Sequence, residues 1–217
     1  MPLPLRAGFK DGPTSPWGRY APWTEVDISG ANPNIQIPQD ILWSKVTNEG
    51  QVAYSDPISS GNVQVILSSV QFNTTLSQIV NRDPGSTFVL TNNAIGSWCA
   101  VDFDPQQKGD WVCPSVFRTT HGYSTFTAFR LQNFSLQGGN GNNVYSATWQ
   151  DLLTVTNTIA VPDPASNAWS DEFPILGLDP NVDQFRFLRL LQTGLNTQNS
   201  YELAAGRWLL GGAYSES

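Results

Sequence analysis

His121, in Thr119-Thr120-His121-Gly122-Tyr123, is the only histidine of the chain. Any Ser-His-Asp or Cys-His device must therefore run through it. No Gly-x-Ser-x-Gly elbow accompanies it, and neither Cys99 nor Cys113 stands close to a helix start that would acidify its thiol. Two cysteines fourteen residues apart and one histidine do not make the usual four-ligand zinc set. Asp102, Asp104 and Asp110 surround the turn Pro105-Gln106-Gln107-Lys108-Gly109 and could offer oxygens to calcium. Their spacing matches no EF-hand, however, and Lys108 opposes a cation there, so a solvated hairpin tip is expected. Glycine-rich loops with phosphate-cradle spacing are absent. The sequence thus predicts no enzyme, no resident metal and no cofactor. One catalytic alternative stays open: Asp171, Glu172, Asp179 and Asp183 supply the carboxylates that a β-sandwich glycosidase would need in pairs.

The chemistry that remains is binding. Sugars and other polar partners are held by hydrogen-bonding groups set beside an aromatic face. Four segments of loop composition carry such combinations: Asp104, Gln106, Lys108 and Asp110; His121 and Tyr123; Asn140 and Asn142; and Trp169 with Asp171. These ten residues are the candidate receptor- or glycan-contact positions.

Loops need a scaffold, and helical periodicity is scarce. Even Val182–Thr193 alternates more like a strand than a helix. Runs rich in Val, Ile, Thr and aromatics recur between Gly, Pro, Asn and Asp clusters. They predict strands at Glu25–Ser29, Leu42–Thr47, Gln51–Tyr54, Val63–Val70, Thr87–Thr91, Trp98–Phe103, Trp111–Arg118, Ser124–Leu136, Asn143–Val155, Phe185–Leu191, Ser200–Leu203 and Arg207–Gly211. The expected fold class is all-β, a single compact barrel or sandwich of many short antiparallel strands with long decorated loops. Residues 1–24 read as a proline-rich lead-in and 25–217 as one β domain.

Local expectations follow. Asn48-Glu49-Gly50 closes a hairpin, and Tyr123–Leu136 suits a central strand covered on both faces. Gln137–Asn143, with three glycines and no apolar side chain, reads as a solvent loop. Cys99 and Cys113 either remain buried free thiols or, if their segments pair as a hairpin, close a loop of about 15 residues worth ~3 kcal/mol.

Only 13% of the 217 residues are charged, while 40% are hydrophobic and eight are tryptophan. That composition can bury a sizeable core beneath a polar, sparsely charged surface. A net charge of −7 without a Lys/Arg cluster excludes nucleic acid and disfavours an anionic membrane surface. No apolar run approaches the ~18 residues of a spanning helix, so membrane insertion is not expected. The start Met1-Pro2-Leu3-Pro4-Leu5-Arg6 lacks the regions of a secretory signal.

The stretch Leu42-Trp43-Ser44-Lys45-Val46-Thr47-Asn48-Glu49-Gly50 resembles the Trp-x-Lys-Val-Thr-x-x-Gly hairpin of the hepatitis E virus protruding domain, to which astrovirus capsid spikes are structurally similar. The resemblance implies a surface projection of a non-enveloped capsid, made in the host cytoplasm and displayed on the virion surface. It further implies a homodimer that binds host receptors or glycans and is recognised by neutralising antibodies; Trp17, Tyr20 and Trp23 either contribute to such a dimer surface or pack over the end of the barrel. The alternative is a stand-alone carbohydrate-binding module, lectin or adhesin.

Overall fold

The computed structural model describes residues 61–71, 74, 76–80, 89–121, 129–159, 161 and 169–215, with the backbone of 35–36. The proline-rich lead-in, the 42–50 hairpin and Tyr123 lie outside the described residues. The chain is all-β. Its strands are β1 (Ile35–Gln36), β2 (Gln64–Leu67), β3 (Val89–Leu90), β4 (Trp98–Asp102), β5 (Trp111–Thr119), β6 (Phe134–Asn140), β7 (Thr148–Val155), β8 (Phe173–Pro174), β9 (Phe187–Gln192), β10 (Ala204–Ala205) and β11 (Trp208–Ser215).

Every strand pairing is antiparallel. A five-stranded sheet runs β2-β4-β9-β6-β7, a four-stranded sheet β1-β11-β5-β8, and β10-β3 form a small ribbon. Among the described residues neither sheet closes on itself, so of the two expected architectures the sandwich is the one formed. Alternation decides which side chains fill it. Cys99, Val101, Leu136, Leu188 and Leu190 of the larger sheet share one core cluster with Val112, Phe117, Leu210 and Tyr214 of the smaller. Phe117 lies at its aromatic centre, 5.6 Å from Trp208 and 6.4 Å from both Phe134 and Phe173.

Three strand expectations are corrected, one of them at Ser200–Leu203, which is irregular and gives way to β10 at Ala204–Ala205. Phe129 has φ +67°, which breaks the extended run expected over Ser124–Leu136; the strand starts instead at Phe134 and continues through Asn140. The glycine-rich segment is therefore partly sheet rather than solvent loop. Its glycines serve close packing: a Cβ on Gly138 would stand 2.5 Å from the Phe185 ring, and one on Gly139 2.6 Å from the Trp149 ring. At the other boundary, Asn143 Oδ1 accepts the Tyr145 and Ser146 amides, a turn that delays β7 to Thr148.

The disulfide does not form. β4 and β5 lie in different sheets rather than in one hairpin, and Cys99 and Cys113 are both buried free thiols. Cys99 sits in the inter-sheet core, to which the neighbour of Cys113, Val112, belongs and Cys113 does not. Burial pushes the Cys99 thiol far up; burial, then the nearby Asp183 and Asp179 carboxylates, pushes Cys113 up to about 12. Neither supplies thiolate at neutral pH. We expect the native chain to be inert to Ellman's reagent and both thiols to react once urea unfolds it; prompt reaction in the native state would contradict this burial.

Register also sorts the loops into two ends. Leu67, Trp98, Gln192, Phe134 and Val155 are level with one another, as are Thr119 and Trp208 in the other sheet. Opposite them lie Asp102, Phe187, Asn140 and Thr148, joined to the Trp111 end of the smaller sheet by the Val112–Phe185 bridge.

Candidate functional site

Six of the sequence-predicted residues fall at the Trp111 end, where hydrogen bonds within the chain engage the side chains of Asp104, Gln106 and Asn140. Asp104 accepts the Lys108 amide at 2.6 Å and the Gly109 amide at 3.0 Å, which shapes the turn around its own carboxylate. Asp102 takes the Asp104 amide at 2.9 Å and a two-pronged contact from Arg186, Nε at 3.0 Å and Nη2 at 2.8 Å. That hydrogen-bonded contact raises the Arg186 pKa. The Gln106 amide donates to the Gly61 carbonyl at 3.1 Å. Asn140 clamps 184–186, donating to the Gln184 carbonyl at 2.7 Å and accepting the Arg186 amide at 2.9 Å, while the Asn142 carbonyl receives Arg186 Nη1 at 3.4 Å. Asp110 directly precedes β5 at Trp111.

Among the described residues, no group of three His, Cys, Asp or Glu is placed to hold a metal. Asp179 and Asp183 are likewise engaged in their own turn: Asp183 accepts the Asp179 amide at 2.8 Å, and Asp179 accepts that of Asn181 at 2.9 Å. Because the Asp104 carboxylate satisfies two loop amides, Asp104→Ala should cost about 1–2 kcal/mol in urea unfolding.

The Trp208 end gathers three others. An antiparallel bridge between Thr120 and Trp169 brings Trp169 and Asp171 to this end, with Asp171 level with Arg118 rather than with His121. Ser170 fixes the crossing: its amide donates to the Thr119 carbonyl at 2.8 Å, and its hydroxyl receives the Thr119 amide at 3.1 Å. His121 is buried, Trp169 half-buried and Asp171 exposed.

Three residues complete the group. The Arg207 guanidinium lies 4.7 Å from the Trp169 ring centre and that of Arg118 6.0 Å. Arg118 Nε donates to the Ser170 carbonyl at 3.0 Å, and its Nη1 is 3.9 Å from Glu172 Oε1. Arg207 is only 2% exposed, held where its amide meets Thr120 Oγ1 at 2.9 Å. An indole in this setting is electrostatically matched to both cations. Neither arginine was selected from the sequence. A lone charge inside Ala204-Ala205-Gly206-Arg207-Trp208-Leu209-Leu210 was the available signal for Arg207. Arg118 carried none, because an arginine near the end of a strand is common. Glu172 entered only as a catalytic candidate.

The arrangement offers an aromatic face, a guanidinium and two carboxylates within one strand crossing. It can stack on an apolar ring face and hydrogen-bond hydroxyl groups as both donor and acceptor.

No known family matches the chain, and no curated protein sequence does. Solved structures match its fold. A CBM32 module of Clostridium perfringens CpGH89, solved with GalNAc-β-1,3-galactose, aligns with TM-score 0.51 at 9% identity over 70% of this chain and 96% of its own. A CBM32 module from a family 31 glycoside hydrolase of the same organism gives TM-score 0.51 at 10% identity, covering 70% and 92%. A protein fragment from Bacteroides thetaiotaomicron gives 0.50 at 12%, covering 76% and 95%. At such identities the fold is what is shared. The modules that share this fold are not capsid projections, which overturns the capsid-projection expectation. The reason is physical: low charge, many aromatics and short strands characterise any polar β-sandwich, so composition does not separate a spike from a sugar-binding module.

Proposed function

We propose that this domain is a carbohydrate-binding module without catalytic activity of its own, and that it seats a sugar at the Trp208 end. The observation that carries this reading is the Trp169 ring beside Arg118 and Arg207, with Glu172 and Asp171 adjoining. The indole stacks on the apolar face of a pyranose. Arg118 donates to ring or hydroxyl oxygens, and Glu172 and Asp171 accept from hydroxyl protons. Arg207, being buried, holds the indole rather than the ligand. The division of carboxylates supports binding over hydrolysis: Asp179 and Asp183 are hydrogen-bonded within their own turn, apart from Asp171 and Glu172.

The shared fold supports the same class of ligand, and the disaccharide in the CpGH89 module makes GalNAc-β-1,3-galactose and galactose the first probes. Calorimetric titration with both, followed by a glycan array, should give saturable binding with no release of reducing sugar. Absence of binding across the array, or turnover of any glycan, would overturn the proposal.

A further inference from the structure

We infer a second, independent glycan site: the outer face of the five-stranded sheet, along which an extended, uncharged polysaccharide chain lies across β4, β9, β6 and β7.

Alternation commits Cys99, Val101, Leu188, Leu190, Phe134 and Leu136 to the core. Trp98, Arg189, Ser135 and Gln137 consequently face the other way, and the register sets Gln137 opposite both Arg189 and Asp151, with Trp149 opposite Gly139. One hydrogen-bonded row crosses the strands. Arg189 donates from Nε and Nη2 to Gln137 Oε1 at 2.8 and 2.5 Å. Gln137 Nε2 and Ser135 Oγ donate to Asp151 Oδ1 at 2.8 and 2.6 Å. An indole flanks the row on either side, since the Arg189 guanidinium lies 4.0 Å from the Trp149 ring centre and 5.8 Å from that of Trp98. Tyr145 meets Trp98 edge-on at 5.9 Å and is 75% exposed.

The platform is packed in place by its own side chains. Gly139 lets the Trp149 ring lie close against β6, and Val144 tucks the 141–147 loop onto Ala100 and Phe187 at one side. Both ends of the row keep capacity for a ligand: among the described residues, Arg189 Nη1 and Asp151 Oδ2 have no hydrogen-bond partner.

Three features select the occupant. One cation and one anion in a single row cancel, so the face attracts neither polyanions nor polycations. A donor and an acceptor flanked by indoles match hydroxyls on a stackable ring, whereas a protein partner would have to desolvate both the half-buried Arg189 and the exposed Asp151. From β4 to β7 the face spans three strand spacings, about 14 Å. That exceeds one sugar ring and suits the interior of a chain rather than its tip.

The test is retardation in native gels containing soluble neutral polysaccharides (β-glucan, xylan, galactan) or the acidic polymer polygalacturonate. Trp169→Ala serves as the background that disables the Trp208 end. At least one neutral polymer should still retard that variant. Adding Asp151→Asn or Trp98→Ala should weaken retardation at least tenfold, with circular dichroism unchanged for Asp151→Asn. For the retarding polymer, affinity should rise with oligosaccharide length and plateau beyond a few rings. Retardation by no neutral polymer, retardation only by polygalacturonate, indifference to Asp151→Asn, or full affinity for a monosaccharide would each overturn the inference. Loss of retardation on Trp169→Ala alone would likewise assign all binding to the Trp208 end.

Discussion

Gly212→Val should cost the domain about 3 kcal/mol or more, a large fraction of the stability of an ordinary domain. Gly212 has φ +144° and sits where the β5–β11 register shifts, so that Ser115 has no partner of its own on β11. A Cβ there would stand 2.2 Å from the Cys113 carbonyl oxygen, 2.8 Å from the Pro114 Cα and 2.9 Å from the Ser115 amide nitrogen. All three are backbone atoms of the partner strand, so no rotamer change relieves the clash. The bulge itself answers a problem in β5: Pro114 has no N–H to give to a ladder. Shifting the register there leaves the Ser115 carbonyl for Ile175, whose amide donates to it at 2.8 Å. Thermal and urea unfolding followed by circular dichroism read the effect. Gly177→Ala is the control, at φ +81° with nothing within 4 Å of its Cβ; it should lose only the conformational term, about 1 kcal/mol. Equal losses in the two variants would mean that the bulge is not tight.

Trp169→Ala should weaken sugar binding at least tenfold, about 1.4 kcal/mol or more, because it removes the stacking face on which the other groups are arranged. It should also lower stability by about 1–2 kcal/mol, since the buried Arg207 guanidinium loses its aromatic cover. The two effects separate in Trp169→Phe, which keeps a ring for both purposes and should retain part of each. Titration calorimetry beside chemical denaturation measures them on the same samples. Unchanged affinity in a folded Trp169→Ala chain would remove the Trp208 end as the binding site. Glu172→Gln gives an independent check, as it keeps the shape and removes the charge facing Arg118. It should weaken binding while leaving the unfolding midpoint nearly unchanged, as a partly buried pair 3.9 Å apart is beyond hydrogen-bond reach and contributes little stability.

Much of the sheet was legible because strand patterns are local. Trp98–Phe103, Trp111–Arg118 and Phe185–Leu191 each alternate or run apolar between turn residues, and each became a strand to within about two residues. The Gly138-Gly139 segment misled because composition does not say why a glycine is there. In a turn it supplies dihedral freedom; in β6 it leaves room for the Phe185 and Trp149 rings, which arrive from other strands.

By itself the sequence determined an all-β chain with a large aromatic core and a polar surface poor in charge. Those properties follow from residue types and from periodicities of two, which each short segment carries alone. Tertiary structure decided the rest: sandwich over barrel, free thiols over a disulfide, and which loops share an end. It placed Arg118 and Arg207 beside Trp169, and set Arg189 between Trp98 and Trp149. Each of these depends on strand order and register, which are set by how whole faces pack against one another. A one-residue slip would turn every one of those side chains to the opposite face, and no segment read alone records which register wins.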